Sequence, residues 1–300
     1  MQTESGFLGK MPVLPEEMSA GWEPVPSSGS GFTVLYRSRS AGRSRLYKCL
    51  KPEWQGNPVY ESLLRKEFEI GFSLNHPGIC EYYSFQDYPG RGRCIEMEWI
   101  EGQTLGERLS RRSIDGKTAR KILLEICDAL DYMHHRQVIH RDLKPENILI
   151  TDNGNNAKII DFGFSDADAY VIGKEPAGTQ MYAAPELLSG KGVDCRCDIY
   201  SLGLIMKRLP GIPARVAARC QSPLPEGRYA SALEVKEALL QKRKFPIAVA
   251  ALVLALVAGM AVAAFYHYDS RRNQEEADRI LESVWEQIQE AGFPTEEPPA

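Results

Sequence analysis

Between Ile247 and Tyr266 the chain reads IAVAALVLALVAGMAVAAFY, twenty residues without one charged side chain. In a sequence whose Asp, Glu, Lys and Arg content is 25%, such a run is foreign to an ordinary protein surface. As an α-helix it is about 30 Å long, the thickness of a bilayer's hydrocarbon core. A buried helix of a soluble core seldom stays apolar on every face over such a length, so one transmembrane helix is expected over 247–266. Lys242, Arg243 and Lys244 crowd its N-terminal side, against Arg271 and Arg272 beyond its other end. That bias puts the N-terminal part in the cytoplasm. The first residues lack a basic start followed by an apolar run, so no signal peptide is expected, which agrees.

The span divides the chain into a flexible leader (1–20), a domain over 21–243, and a short extracytoplasmic tail (267–300). A domain of this size can bury a core of its own. The net charge of −4 leaves no electrostatic footprint for nucleic acid. The seven cysteines are scattered and offer no second pair at zinc-ligand spacing, so they are expected to be reduced thiols, as suits the cytoplasm. From Phe32 to Cys49 the pattern is strand-like, with a hairpin turn at SAGRS. PVYESLLRKEFEIGFSL is helical, RCIEMEWI returns to strand, and TARKILLEICDALDYMHHR carries apolar residues at three- and four-residue steps. The coarse expectation is an α+β domain, β-rich up to about residue 98 and helical from 99 to 243. In the tail, Ala277, Ile280, Leu281, Val284, Trp285 and Ile288 share one helical face, and Asn273 with Glu276 resembles a capping box. A separate amphipathic helix over 274–291 is the expectation, a weakly structured tail the alternative.

The chemistry sits in VIHRDLKPENILI, Val138 to Ile150. An apolar run, read as a strand, leads into His140-Arg141-Asp142, then Lys144 and Asn147, then a second apolar strand. Asp161-Phe162-Gly163 follows the apolar AKII, and GTQMYAAPE (178–186) and DIYSLG (198–203) come after. This ordered set resembles the catalytic core of eukaryotic-type (Hanks-type) Ser/Thr protein kinases over roughly Phe32 to Leu240. With the span behind it, the arrangement is similar to bacterial receptor-type kinases, although the tail is too short for a folded sensor. The resemblance implies a two-lobed fold, the large lobe trimmed after the family's F helix, followed by one transmembrane helix. It also implies a single-pass protein of the plasma membrane. The implied cofactors are ATP and Mg2+, with Mn2+ able to substitute, and the implied partners are an unidentified protein substrate and the bilayer.

Phosphoryl transfer needs positioning and charge neutralisation more than covalent chemistry. The resemblance implies that Asp142 orients the substrate hydroxyl and Lys144 reaches the transferred phosphoryl group, a lysine that marks Ser/Thr specificity. Asn147 and Asp161 would hold magnesium. Lys48 in RLYKCLK would grip the α- and β-phosphates. Its partner is Glu67 or Glu69, and counting back from Leu74 selects Glu67. Met97 resembles the gatekeeper, while the Glu98 carbonyl and the Ile100 amide resemble the adenine-reading hinge. Arg141 and Thr179 belong with the activation segment. Glu186 and Arg228 would pin that segment as a buried pair, and Asp198 would hold the catalytic loop.

Several positions depart from the family. The phosphate loop, SSGSGFTVLY, has Gly29 and Gly31 but no third glycine. If Phe32 is its tip, the three glycine places fall on Ser28, Ser30 and Thr33. The nucleotide contacts expected there are Ser28, Gly29, Ser30 and Gly31. Leu46 stands where a small residue usually meets adenine, and Gly71 leaves a hole where a large apolar residue usually packs toward Phe162. Between Gly163 and Thr179 the hydroxyls are Ser165 and Tyr170, with Asp166 and Asp168 beside them, so acidic groups or association are expected to replace an activating phosphate. Two other functions stay open: a scaffolding pseudokinase, favoured by the loop and Leu46, and a small-molecule phosphotransferase, which GTQMYAAPE disfavours. Ala251, Ala255, Gly259 and Ala263 recur on one face of the span and would permit a homodimer.

Overall fold

The computed structural model describes residues 21–26, 31–40, 42–163, 179–190, 192–241 and 247–290. The chain divides into two compact units, 1–241 and 242–300. In the first unit, β1 (Glu23–Val25), β2 (Thr33–Ser40), β3 (Arg43–Leu50), β4 (Tyr82–Tyr88) and β5 (Gly92–Glu98) form an antiparallel sheet in the order β1-β2-β3-β5-β4. Gly42, at φ +76°, makes the β2–β3 turn that SAGRS announced. A second small sheet follows, built from β6 (Gly102–Thr104), β7 (Ile148–Thr151) and β8 (Ala157–Ile159).

Local chemistry accounts for the helices. In α1 (Pro58–Phe72), Asn57 accepts from the Val59 amide and Pro58 opens the first turn. In α3 (Gly116–His135), Asp115 caps the Thr118 amide, and His134 and His135 lie in the last turn, where the helix dipole favours positive charge. Ala119, Ile122, Leu123, Ile126, Cys127, Leu130 and Met133 of α3 are all fully buried, the face that the apolar periodicity described. The remaining helices of this unit are α2 (Leu105–Ser110), α4 (Pro185–Ser189), α5 (Arg196–Arg208), α6 (Ala214–Cys220) and α7 (Ala232–Leu240). Only α6 stands between α5 and the Arg228 region, in keeping with a shortened large lobe.

Three expectations are corrected. Val138 to His140 forms no strand. The Val138 amide instead bonds the Met133 carbonyl, so the segment continues from the α3 terminus without a pairing partner strand. Two of the cysteines are not free thiols. Cys49 and Cys94 face each other across the β3–β5 ladder with Cα atoms 4.3 Å apart and are joined as a disulfide. They lie in an outer-face cluster with Tyr47 and Tyr88, under Trp22, whose ring stacks on Tyr47 at 4.0 Å.

The third correction concerns the second unit, where α8 (Ile247–Glu290) runs unbroken for 44 residues. Asn273 does not cap a new helix; its side chain donates to Asp269 one turn back. No glycine or proline lies between Tyr266 and Glu290, so nothing in the sequence stops the helix there. It is long and apolar enough to cross a membrane. The leader and the end of the tail lie outside the described residues.

Candidate active site

The loop after α3 holds an unusual backbone. Arg141 sits at φ +63° and Asp161, on the neighbouring loop, at φ +66°, a left-handed conformation that is costly for residues with a Cβ. The bonds that hold the first of them come from α5. Asp198, fully buried, accepts from the backbone amides of His140 and Arg141 at 2.9 Å each and lies 2.9 Å from His134 Nε2. Burial alone would raise its pKa, but His134, His140 and the amide donors hold it below the usual value. His140 Nε2 in turn lies 3.2 Å from the Ile160 carbonyl, linking the two loops.

On that base stands Asp142. Asn147 Nδ2 donates to its carbonyl and to its Oδ2, each at 2.9 Å, and Lys144 Nζ lies 2.8 Å from the same Oδ2. Burial pushes the Asp142 carboxyl upward and Lys144 opposes that shift. The result is a carboxylate oriented by two side chains, the arrangement a group needs to accept a proton from an incoming hydroxyl.

Lys48 on β3 donates to Glu67 Oε1 at 2.8 Å and to Asp161 Oδ1 at 2.9 Å. The count back from Leu74 therefore identifies the residue that meets Lys48. Burial would lower the lysine pKa, yet the two carboxylates raise it, so the ammonium stays charged. The same ammonium and the Gly163 amide bring Asp161 down to about 2, against the effect of burial. Glu67 is shifted upward by its burial. Sequence reasoning missed one contact here: Tyr82 of β4 donates to Glu67 Oε1 at 3.2 Å. It also corrects the expected hole at Gly71, because the Tyr82 ring occupies that space.

Comparison with known proteins places this geometry. The model of the protein kinase domain matches residues 28–211. The chain belongs to the protein kinase domain family. A probable serine/threonine-protein kinase of Streptomyces coelicolor is 32% identical over 65% of this chain and 31% of its own length. Serine/threonine-protein kinase PknB of Mycolicibacterium smegmatis is 32% identical over 59% of this chain and 30% of its own. The chain thus spans about a third of the length of these curated relatives. Among solved structures, the PknI kinase domain of Mycobacterium tuberculosis superposes with a TM-score of 0.55 at 26% identity, covering 73% of this chain and 95% of that one.

The other kinase positions are distributed as follows. Met97 is buried opposite Leu46 in the β3–β5 ladder, and Ile100 is buried just beyond. The Glu98 amide donates to the Glu81 carbonyl, and its side chain is held by Lys158 at 2.7 Å. Leu46 packs against the core. Of the phosphate loop, Ser28, Gly29 and Ser30 lie outside the described residues. Gly31, at φ +55°, has its carbonyl bound by Lys51 Nζ at 2.6 Å. Phe32 packs on Tyr60 of α1, ring centroids 5.1 Å apart. Ser165, Asp166, Asp168 and Tyr170 also fall outside, and Thr179 opens the short 3-10 turn Thr179–Tyr182. Glu186 and Arg228 meet as a buried bidentate pair at 2.6 and 2.8 Å.

The donor set suits magnesium. Because Asn147 gives its NH2 to Asp142, its Oδ1 remains the amide's acceptor, and Asp161 presents a carboxylate that is 36% exposed. Among the described residues no cluster of three or more His, Cys, Asp or Glu side chains forms a cage. One amide oxygen and one carboxylate fit a small hard cation that takes the rest of its shell from phosphate and water.

Proposed function

We propose that the chain transfers the γ-phosphoryl group of ATP to serine or threonine hydroxyls of proteins, as a single-pass protein of the plasma membrane. The kinase domain is on the cytoplasmic side and the tail on the other. The observation that carries this reading is the contact of Lys48 with both Glu67 and Asp161. Asp142 accepts the proton of the attacking hydroxyl and sets its line of approach. Lys144, one hydrogen bond from Asp142, neutralises charge on the transferred group. Lys48 spends two of its three N–H donors on carboxylates and keeps one for phosphate oxygens. Asn147 and Asp161 would hold magnesium, which supplies charge neutralisation between the phosphates. The lysine between Asp142 and Asn147, which in this family marks Ser/Thr specificity, supports a protein hydroxyl as acceptor.

The deciding experiment is autophosphorylation of the full chain in lipid nanodiscs with MgATP, read by mass, beside Asp142→Asn. Transfer by the wild type and a loss of about 10²- to 10⁴-fold in the variant, with the melting midpoint retained, are expected. Unchanged turnover in the variant would remove Asp142 from the mechanism. A wild type that binds nucleotide without transfer would select the scaffold reading.

A further inference from the structure

Gly71 lies one turn along α1 from Glu67, on the same face. A Cβ built there would stand 2.7–2.8 Å from three carbons of the Tyr82 ring, closer than carbon atoms approach unless something moves. The position is glycine because a ring from another element lies directly against the helix backbone. That ring is buried and sits 5.7 Å, centroid to centroid, from Phe162. Its hydroxyl reaches Glu67 Oε1 at 3.2 Å, the oxygen that Lys48 Nζ meets at 2.8 Å. One carboxylate oxygen therefore takes donors from two strands, β3 and β4.

A buried carboxylate with one donor still has a torsion about which to swing, and a second donor from a different strand removes that freedom. Burial pushes the Tyr82 phenol well above its ordinary pKa, so it keeps its proton, which it donates to Glu67. The surrounding charged groups are Lys48 from β3 and Asp161 from the loop after β8. Asp161 meets Lys48 from the loop after β8, and Glu67 meets it from α1.

We propose that Tyr82 is a positioning residue for phosphoryl transfer: its ring fills the notch left by Gly71, and its hydroxyl orients Glu67 so that Lys48 is presented to the nucleotide. The assignment rests on the kinase reading above. Ring and hydroxyl are separable. The ring sets how α1 seats on the sheet, whereas the hydroxyl acts only through Glu67 and Lys48. Loss of the hydroxyl leaves Lys48 charged and paired with Asp161, so ground-state nucleotide binding persists while transition-state alignment suffers.

The test compares full-length wild type, Tyr82→Phe, Tyr82→Leu, Gly71→Ala and the Gly71→Ala/Tyr82→Leu pair in nanodiscs, with MgATP and dephosphorylated casein as probes. Tyr82→Phe should melt within about 2 °C of wild type. Its kcat should fall roughly tenfold, the scale of one hydrogen bond to a charged group, with KM for MgATP held within about twofold. Tyr82→Leu and Gly71→Ala should each lose melting temperature. The pair should recover stability relative to Gly71→Ala, yet stay below wild type in kcat because no hydroxyl is present. A Tyr82→Phe enzyme that turns over like an active wild type overturns the assignment while leaving the kinase reading intact. A fall in kcat that merely tracks melting temperature across the series reduces Tyr82 to packing and also overturns it. A wild type without transfer sinks the kinase reading itself, and this role with it.

Discussion

Two buried ion pairs of this kinase domain, Arg228–Glu186 and Lys48–Glu67, are built to opposite ends. Around Arg228, every N–H is used internally: Nε to the Ser222 carbonyl, Nη1 to Glu186 and the Arg196 carbonyl, Nη2 to Glu186 and the Pro223 carbonyl. The guanidinium is fully buried and has no donor left for anything else. Lys48 is a point charge with three donors, of which Glu67 and Asp161 take two. Its carboxylate partners differ as well, one at 3% exposure and one at 36%. A saturated planar cation pins an element in place. A lysine with a donor to spare can still exchange its contacts for phosphate.

That contrast can be broken experimentally. Arg228→Met leaves Glu186 buried without a partner, and a loss of about 3–5 kcal/mol is expected in denaturant melts, with nucleotide affinity of the folded fraction kept. Lys48→Met should do the reverse. Its kcat/KM for phosphoryl transfer falls by roughly 10²-fold, while stability changes little. The reason is that Asp161, 36% exposed, can turn to water, and Tyr82 still donates to Glu67. If the two variants lose stability equally, the distinction between the pairs is wrong.

Asp198 offers a pH-dependent version of the same comparison. Its folded-state pKa lies below the ordinary 3.8, so the folded form keeps the carboxylate charged at pH values where the unfolded chain takes up a proton. Its contribution is complete above about pH 4 and is lost as pH falls through the depressed folded value. The stability gap between wild type and Asp198→Asn should therefore narrow on acidification below about pH 4, as read by urea melts at a series of pH values. A gap that widened would reverse the assigned direction. The smallest effect belongs to the half-exposed Lys236–Asp128 pair between α7 and α3. Lys236→Ala should cost no more than about 1 kcal/mol, and a larger loss would show that exposure is not what separates these pairs.

How much of this was legible beforehand depends on distance along the chain. Asp142, Lys144 and Asn147 lie within six residues, so a family resemblance carried by one short string already implied the loop's chemistry. The choice of Glu67 over Glu69 came with the family resemblance, by counting back from Leu74. Tyr82 escaped, although Gly71 pointed at it. The gap was visible as a missing side chain, but its occupant comes from a strand that only the packing brings alongside. The strand expected before His140 failed for a related reason, since apolar character marks burial and does not supply a pairing partner.

The sequence by itself determined the loop chemistry, the apolar span and the periodicity of α1 and α3, because each depends on residues a few positions apart. Tertiary structure alone decided which cysteines meet and what fills the space beside Gly71. Both follow from the register of β3 against β5 and the seating of β4 on α1, contacts between segments far apart in the chain. That the helix beginning at Ile247 continues past Asn273 is local instead: a cap signal inside an uninterrupted helical stretch loses to the backbone hydrogen bonds on either side of it.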